Sequence, residues 1–392
     1  NPTRVQAQLS PDGRWLSWLA SKDGVLNIWL SPLDDLTSAR AITDDRKRGI
    51  RFYTWLPDST RVLYLQDEGG TEDWHVHSVD PVSGATQDLT PLPGVQARLM
   101  GTSLDRPGQI AVGLNDRDKA WHDIYVVDVA SGERRLVLEN RDQLAGIVLD
   151  CTYVPRLASQ PRAREGGRLL FRLEGQGPVP TLVPSATVEH EDDLTTRDFG
   201  FTRDGTTSHR ISSIGRDPAA LFAIDWATGR ERLLAEHPQA NISALLTHPV
   251  TRVVEAAGAQ YLRMDWMPLD PTIARDLERL SGALAGEIDI ADRTLDDTRW
   301  IVSANAAEQP LTYHLYERPS GTIRELFSAR PELKAYRLAP MRCETLRARD
   351  GLALPSYLTL PVDAGERPTK PLPMVLHVHG GPWARDGYGF NS

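Results

Sequence analysis

Cysteine is scarce in this sequence. The 392 residues hold two, Cys151 and Cys343, far apart. That excludes a disulfide framework and the paired spacing of a cysteine metal site. The usage fits a cytoplasmic protein, and a periplasmic protein with two cysteines fits nearly as well. No long uncharged apolar run occurs, so nothing in the sequence predicts a membrane-crossing helix. The opening residues NPTRVQAQLS show no charged-then-apolar leader. Basic residues are in deficit: 44 Lys and Arg stand against 53 Asp and Glu, for a net charge of −9. They are scattered, and the most basic run, DDRKRGIR at 44–51, reads as a solvated connection. Neither nucleic acid nor a membrane is expected as a partner.

Proline and glycine, by contrast, are plentiful, with 28 and 30 spread along the chain. They punctuate many short elements. Four segments align on a Ser/Thr-Gly pair: 74–90, 123–139, 220–236 and 312–328. In each an acid stands four residues before the glycine: Asp80 and Gly84, Asp128 and Gly132, Asp225 and Gly229, Glu317 and Gly321. The glycines are 48, 97 and 92 residues apart, so the period is about 48 with one degenerate copy inside each long gap. Alternating apolar residues before the acid predict a half-buried strand. The acid and hydroxyl can bond turn amides, and glycine can take positive φ in a hairpin. A second turn-bearing strand pair precedes each hairpin, at 9–20, 55–66, 201–212 and 294–305.

Four strands per period of this length predict a propeller blade. The degenerate copies fall at 167–195 and 250–270, and a first blade near 9–43 brings the count to seven, with six or eight still open. A β-sandwich does not repeat one turn at multiples of a period, and the Gly-His and Trp-Asp signatures of WD repeats are missing. A short helix is expected after Asp270, with Asp270 as cap, Pro271 at its start and Ile273, Leu277 and Leu280 on one face. Trp15, Trp18, Trp29, Trp55, Trp74, Trp121 and Trp300 fall at strand-like positions. Packing between blades explains them better than carbohydrate binding.

From about Ala335 the repeat is lost. Residues 341–361 read as two strands joined through Arg349-Asp350-Gly351, and MVLHVH at 374–379 reads as a strand buried on both faces. It delivers His379-Gly380-Gly381-Pro382. A strand ending in such a turn is how α/β-hydrolases build half an oxyanion hole. Glycines let backbone N–H groups approach the anion without an obstructing Cβ, and proline fixes the turn.

A propeller followed by RARDGLALPSYLTLP and HVHGGPWARD resembles the prolyl oligopeptidase family of serine peptidases. The His-Gly-Gly-Pro form is similar to its acylaminoacyl-peptidase branch, beside the dipeptidyl-peptidase branch. The resemblance implies a mainly β fold: a seven-bladed β-propeller over 1–335, then the first strands of an α/β-hydrolase domain over 336–392. It gives Gly381 the role of an oxyanion donor, with His379, Gly380 and Pro382 shaping the turn. It implies an acyl-enzyme route to short or acylated peptides, with the propeller gating entry and no metal or organic cofactor. The nucleophile, aspartate and histidine are absent from the chain: its one Gly-x-Ser, Gly101-Thr102-Ser103, is not followed by x-Gly. The expected partners are therefore peptide substrates and the remainder of a catalytic domain, with a homo-oligomer left open. The chain alone is expected to be inactive. Two rival readings stay open, a non-catalytic propeller binding module with a hydrolase remnant and an esterase or lipase-like hydrolase.

Other residues invite sharper readings. Asp67, Glu68, Glu72 and Asp73 surround a Gly-Gly turn. Glu68 and Glu72 are candidates for gripping a substrate amine, against the plainer reading of a solvated hairpin tip. Trp383 is a candidate for the substrate side of the pocket. EHEDD at 189–193 reads as a charged loop. His377 and His379, and likewise His75 and His77, point to one face of a strand, and a packed or solvated pair is the expectation for both.

Overall fold

The computed structural model describes residues 3–365, 367–381 and 383–391. Seven small antiparallel sheets follow one another along the chain, over 4–41, 53–88, 97–138, 146–188, 197–235, 242–268 and 287–328. In every sheet the strands pair in sequence order. These are the blades of a seven-bladed propeller, numbered 1 to 7 below. All have four strands except blade 6, which has three.

The turns that reveal the repeat in the sequence also build it. In the hairpins closing blades 2, 3, 5 and 7, the glycine N–H donates to the carbonyl four residues back: Gly84 to Asp80, Gly132 to Asp128, Gly229 to Asp225 and Gly321 to Glu317, at 2.8–2.9 Å. The glycines sit at φ +69° to +74°, a region costly for residues with a Cβ. The carboxylates of Asp80, Asp128 and Asp225 accept from turn amides at 2.8–2.9 Å. Those donors, with the Ser131 and Thr228 hydroxyls, hold the three carboxyls below the usual aspartate range. The turns between strands one and two carry a second device. A Ser or Thr hydroxyl donates to an Asp two residues on, at 2.6 Å: Ser10 to Asp12, Thr202 to Asp204, and Thr294 to Asp296.

Apolar side chains of neighbouring blades fill the seams. Leu63, Val76 and Leu89 of blade 2 meet Ile110, Val112 and Val127 of blade 3. Leu19, Ile28 and Leu30 of blade 1 meet Trp55, Val62 and Tyr64 of blade 2. The seam between blades 4 and 5 differs, because Arg156 and Arg172 lie over the Trp226 ring at 4.6 and 4.0 Å. At blade 6 the helix Pro271–Ala283 follows the third strand. Asp270 caps it, accepting from Thr272 N at 2.7 Å and Ile273 N at 3.4 Å. Ile273, Leu277 and Leu280 are buried against Trp300, Val302 and Tyr316 of blade 7. Trp18, Trp55 and Trp300 are buried in the seams, as the strand pattern predicts.

Blade 7 meets blade 1 by packing and a few hydrogen bonds, since no strand is shared between the two sheets. Leu9, Leu16 and Trp18 pack on Ile301, Tyr313, Leu315 and Phe327. Thr3 N donates to Ala329 O at 2.7 Å, and Leu9 N donates to Asp292 Oδ2 at 2.7 Å. The blades surround one axis. A single cavity of about 220 Å³ is lined by Pro11, Pro57, Asp105, Cys151, Arg203, Val250 and Leu295, one from each blade in turn. Among the described residues, no helix is long and apolar enough to cross a membrane.

After Ser328 a short 3-10 turn leads to the hairpin Met341–Arg347 and Ala353–Thr359. Its turn is the expected one: Gly351 takes φ +89° and Leu352 N donates to Asp350 Oδ1 at 3.1 Å. Residues 374–379 depart from expectation. They form no strand, and Val375 and Leu376 are 91% and 78% exposed. A strand buried on both faces needs neighbouring strands and covering helices, and among the described residues no strand pairs with this segment.

Candidate active site

Strand direction alternates within a blade. Turns between strands two and three therefore emerge on one face of the ring, and turns between strands one and two on the other. The C-terminal segment rests on the first of these faces. The turn of blade 6 between Val254–Gln260 and Met264–Pro268 receives Tyr357, whose hydroxyl donates to Leu262 O at 2.8 Å. Arg385 donates to the carbonyls of Gln260 and Tyr261 in that turn. Arg263, paired with Glu287, lies over the Tyr388 ring at 3.9 Å. The equivalent turn of blade 7 takes Phe390, whose N–H donates to Ala306 O at 3.1 Å and meets Asn305 Oδ1 at 3.2 Å. The turn His379-Gly380-Gly381 thus leads into a segment anchored on blades 6 and 7.

Gly381 has φ +133°, and a Cβ there would stand 3.1 Å from Ala384 Cβ and 3.4 Å from Trp383 N. The positive φ favours glycine, and a Cβ would also press on Ala384. At Gly380 a Cβ would meet nothing within 4 Å. Gly380 and Gly381 are exposed, and His379 is half-buried with Nδ1 3.3 Å from Gly380 O. Pro382 lies outside the described residues. Trp383 is 75% exposed.

Glu68 and Glu72 stand on the turn of blade 2 between Val62–Gln66 and His75–Val79. That turn opens on the same face as the Gly381 segment, though Gly381's anchors are on blades 6 and 7. Both glutamates are exposed. Asp67 behaves differently from its neighbours. Its side chain is enclosed, 3.5 Å from Arg48 Nε, and it accepts from Glu72 N at 3.2 Å. Asp67 therefore organises the turn, and Glu68 and Glu72 are what the turn presents.

Ser103 belongs to the opposite face, in the turn between the first two strands of blade 3. It is buried, and its hydroxyl donates to Cys151 O while accepting from Asp105 N at 3.1 Å. A hydroxyl engaged in this way, with no imidazole partner, is a turn-former and not a nucleophile. Across the same mouth Arg203 of blade 5 meets Asp105 of blade 3 at 2.7 and 2.9 Å. Asp292, lining the axial cavity, is the group that sequence reasoning missed. Burial pushes its carboxyl up to about 7, although Arg293 N and Leu9 N donate to it.

The architecture is thus a seven-bladed ring with the segment that follows the Gly380-Gly381 turn held on one face. Comparison with known proteins agrees. No family model matches the chain. It is 45% identical over 396 residues to dipeptidyl aminopeptidase BIII of Pseudoxanthomonas mexicana, and 26% identical over 430 residues to dipeptidyl peptidase family member 6 of Caenorhabditis elegans. All of the chain is matched in both, and it spans 57% of the length of each relative. Among solved structures, prolyl oligopeptidase B from Galerina marginata superposes with TM-score 0.60 at 11% identity, over 90% of this chain and 55% of that one. Porphyromonas gingivalis dipeptidyl peptidase 4 superposes with TM-score 0.50 at 13% identity, over 91% and 57%. At those identities the likeness is one of fold. Along its whole length the chain is thus similar to dipeptidyl aminopeptidases, and it shares its fold with prolyl oligopeptidases.

Proposed function

We propose that the protein containing this chain is a serine peptidase that releases dipeptides from the amino end of short peptides through an acyl-enzyme. The observation that carries this reading is the match along all of this chain, at 45% identity, to 57% of a dipeptidyl aminopeptidase. In this reading residues 336–392 begin the catalytic domain, and the Gly381 N–H is one of two donors to the tetrahedral oxyanion. His379, Gly380 and Pro382 shape that turn. The nucleophilic serine, the histidine that takes its proton and the aspartate that orients the histidine come from outside these residues. The propeller restricts entry to short chains. Glu68 and Glu72, exposed on the face that bears the Gly381 segment, are placed to attract a substrate's ammonium group. No cofactor is required.

The test is hydrolysis of dipeptidyl chromogenic substrates by the protein expressed from its complete reading frame. Turnover of substrates with a free amino terminus, and its loss on N-acylation, is the expected result. Preference for the acylated substrates would move the assignment to the acylaminoacyl branch. Turnover of simple esters alone would favour an esterase, and no turnover at all would favour a binding module. The 392-residue chain by itself is expected to be inactive, and Ser103→Ala in the complete protein should leave the rate unchanged.

A further inference from the structure

Blade 2 carries a polar cluster for which the peptidase reading has no use. His75 and His77 alternate along the third strand, His75–Val79, and so face one side of the sheet. The closing hairpin then fixes a third group. Its register sets Asp88 of the fourth strand directly opposite His77. Among the described residues this is the one group of three or more His, Cys, Asp or Glu side chains with a donor atom from each within 4.8 Å of the others.

The three are held in place. Asp88 Oδ1 accepts from Thr90 N at 2.9 Å, which leaves Oδ2 at 2.7 Å from His75 Nδ1. The Tyr64 ring stacks on His77 at 5.1 Å, and the His75 and His77 rings lie 6.3 Å apart at 22°. Tyr64 in turn is packed into the apolar seam with blade 1. All three groups are half-buried, so solvent reaches the cluster without dominating it.

We propose that His75, His77 and Asp88 form a transition-metal site of the zinc class at the seam of blades 1 and 2. Two imidazoles and one carboxylate suit Zn²⁺, Co²⁺ or Ni²⁺ and suit Mg²⁺ or Ca²⁺ poorly. Tetrahedral zinc places its donors about 3.3 Å apart, and the three donor atoms already lie within 4.8 Å of one another. A water completes the fourth position. The bound ion ties the two outer strands of blade 2 to each other, and Asp88 exchanges its bond to His75 for one to the metal.

The test uses the 392-residue chain after chelator treatment, with zinc chloride and cobalt chloride as probes. Calorimetric titration should show one zinc per chain, and cobalt should give the visible absorption of a tetrahedral site. His75→Gln and His77→Gln, confirmed as folded by circular dichroism, should each weaken zinc at least tenfold and abolish the cobalt bands. A measurement without variants supplements this: zinc should protect His75 and His77 of the unmodified chain from diethylpyrocarbonate, read by peptide mass spectrometry. Absence of stoichiometric zinc binding, unchanged affinity in folded variants, or no protection of these two histidines would overturn the site and leave an ordinary ion pair.

Discussion

Asp292 offers the sharpest test of how the ring is closed. It sits on the first strand of blade 7, where the ladder slips between Ile290 and Asp292, and it accepts from Leu9 N of blade 1 at 2.7 Å. No strand is shared at that seam, so this bond is one of few polar links across it. Burial raises the carboxyl to about 7. The folded state therefore holds a proton that the unfolded chain releases near pH 4. The resulting stability is fully present below about pH 4 and is lost as pH rises to and through 7. The gap between an ordinary aspartate, about 3.9, and 7 corresponds to at most about 4 kcal/mol. Screening by the polar groups around the axial cavity reduces this to about 1–3 kcal/mol. Asp292→Asn keeps the shape and the acceptor for Leu9 N but cannot ionise. Scanning calorimetry of both proteins from pH 4 to pH 8 should show nearly equal Tm at pH 4. At pH 8 the variant should lead by about 2–6 °C. A difference in Tm that stays constant with pH, or a wild type that gains on the variant as pH rises, would refute the reasoning.

Three further outcomes follow from the packing and the turn. Arg293 is buried between Glu255 at 2.6 Å and Asp297 at 2.6 Å, and lies 4.7 Å from the Trp300 ring centre. Arg293→Met should cost about 3 kcal/mol in denaturant unfolding, because the enclosed Glu255 loses its cation while Asp297 keeps Arg318 and the Trp300 indole. Asp270→Ala removes the cap of the blade 6 helix and should cost about 1 kcal/mol, read as a fall in urea midpoint at constant slope. In the complete protein, Gly381→Val should lower kcat for dipeptidyl substrates about 100- to 1000-fold with KM little changed; an equal loss confined to KM would assign the turn to substrate binding.

Much of the architecture is readable from turns. The aspartate four residues before Gly84, Gly132 and Gly229 sets a hairpin through bonds within five residues, and at Gly321 the Glu317 carbonyl does so alone, so the chemistry is local and visible in the sequence. The helix after Asp270 is legible for the same reason: cap, proline and apolar spacing are all local. What the sequence conceals depends on groups brought together from far apart. Asp292 looks like any strand aspartate until blade 1 supplies Leu9. The arginine and tryptophan seam of blades 4 and 5 needs both blades in place. Residues 374–379 have the composition of a buried strand, yet without paired neighbours they lie exposed. The His75, His77 and Asp88 cluster stands between these cases. Counting outward from the Gly84 turn sets Asp88 opposite His77, so the trio is legible only once the hairpin register is drawn.

The central claim is that the Gly381 amide faces the reacting carbonyl of a peptide beneath the propeller. It is tested most directly by a crystal structure of the complete protein with a dipeptidyl boronic acid bound to its nucleophile. The account predicts a boronate oxygen within about 2.7–3.1 Å of Gly381 N. A boronate oxygen held by other donors, with Gly381 N turned away or beyond hydrogen-bonding reach, would contradict it.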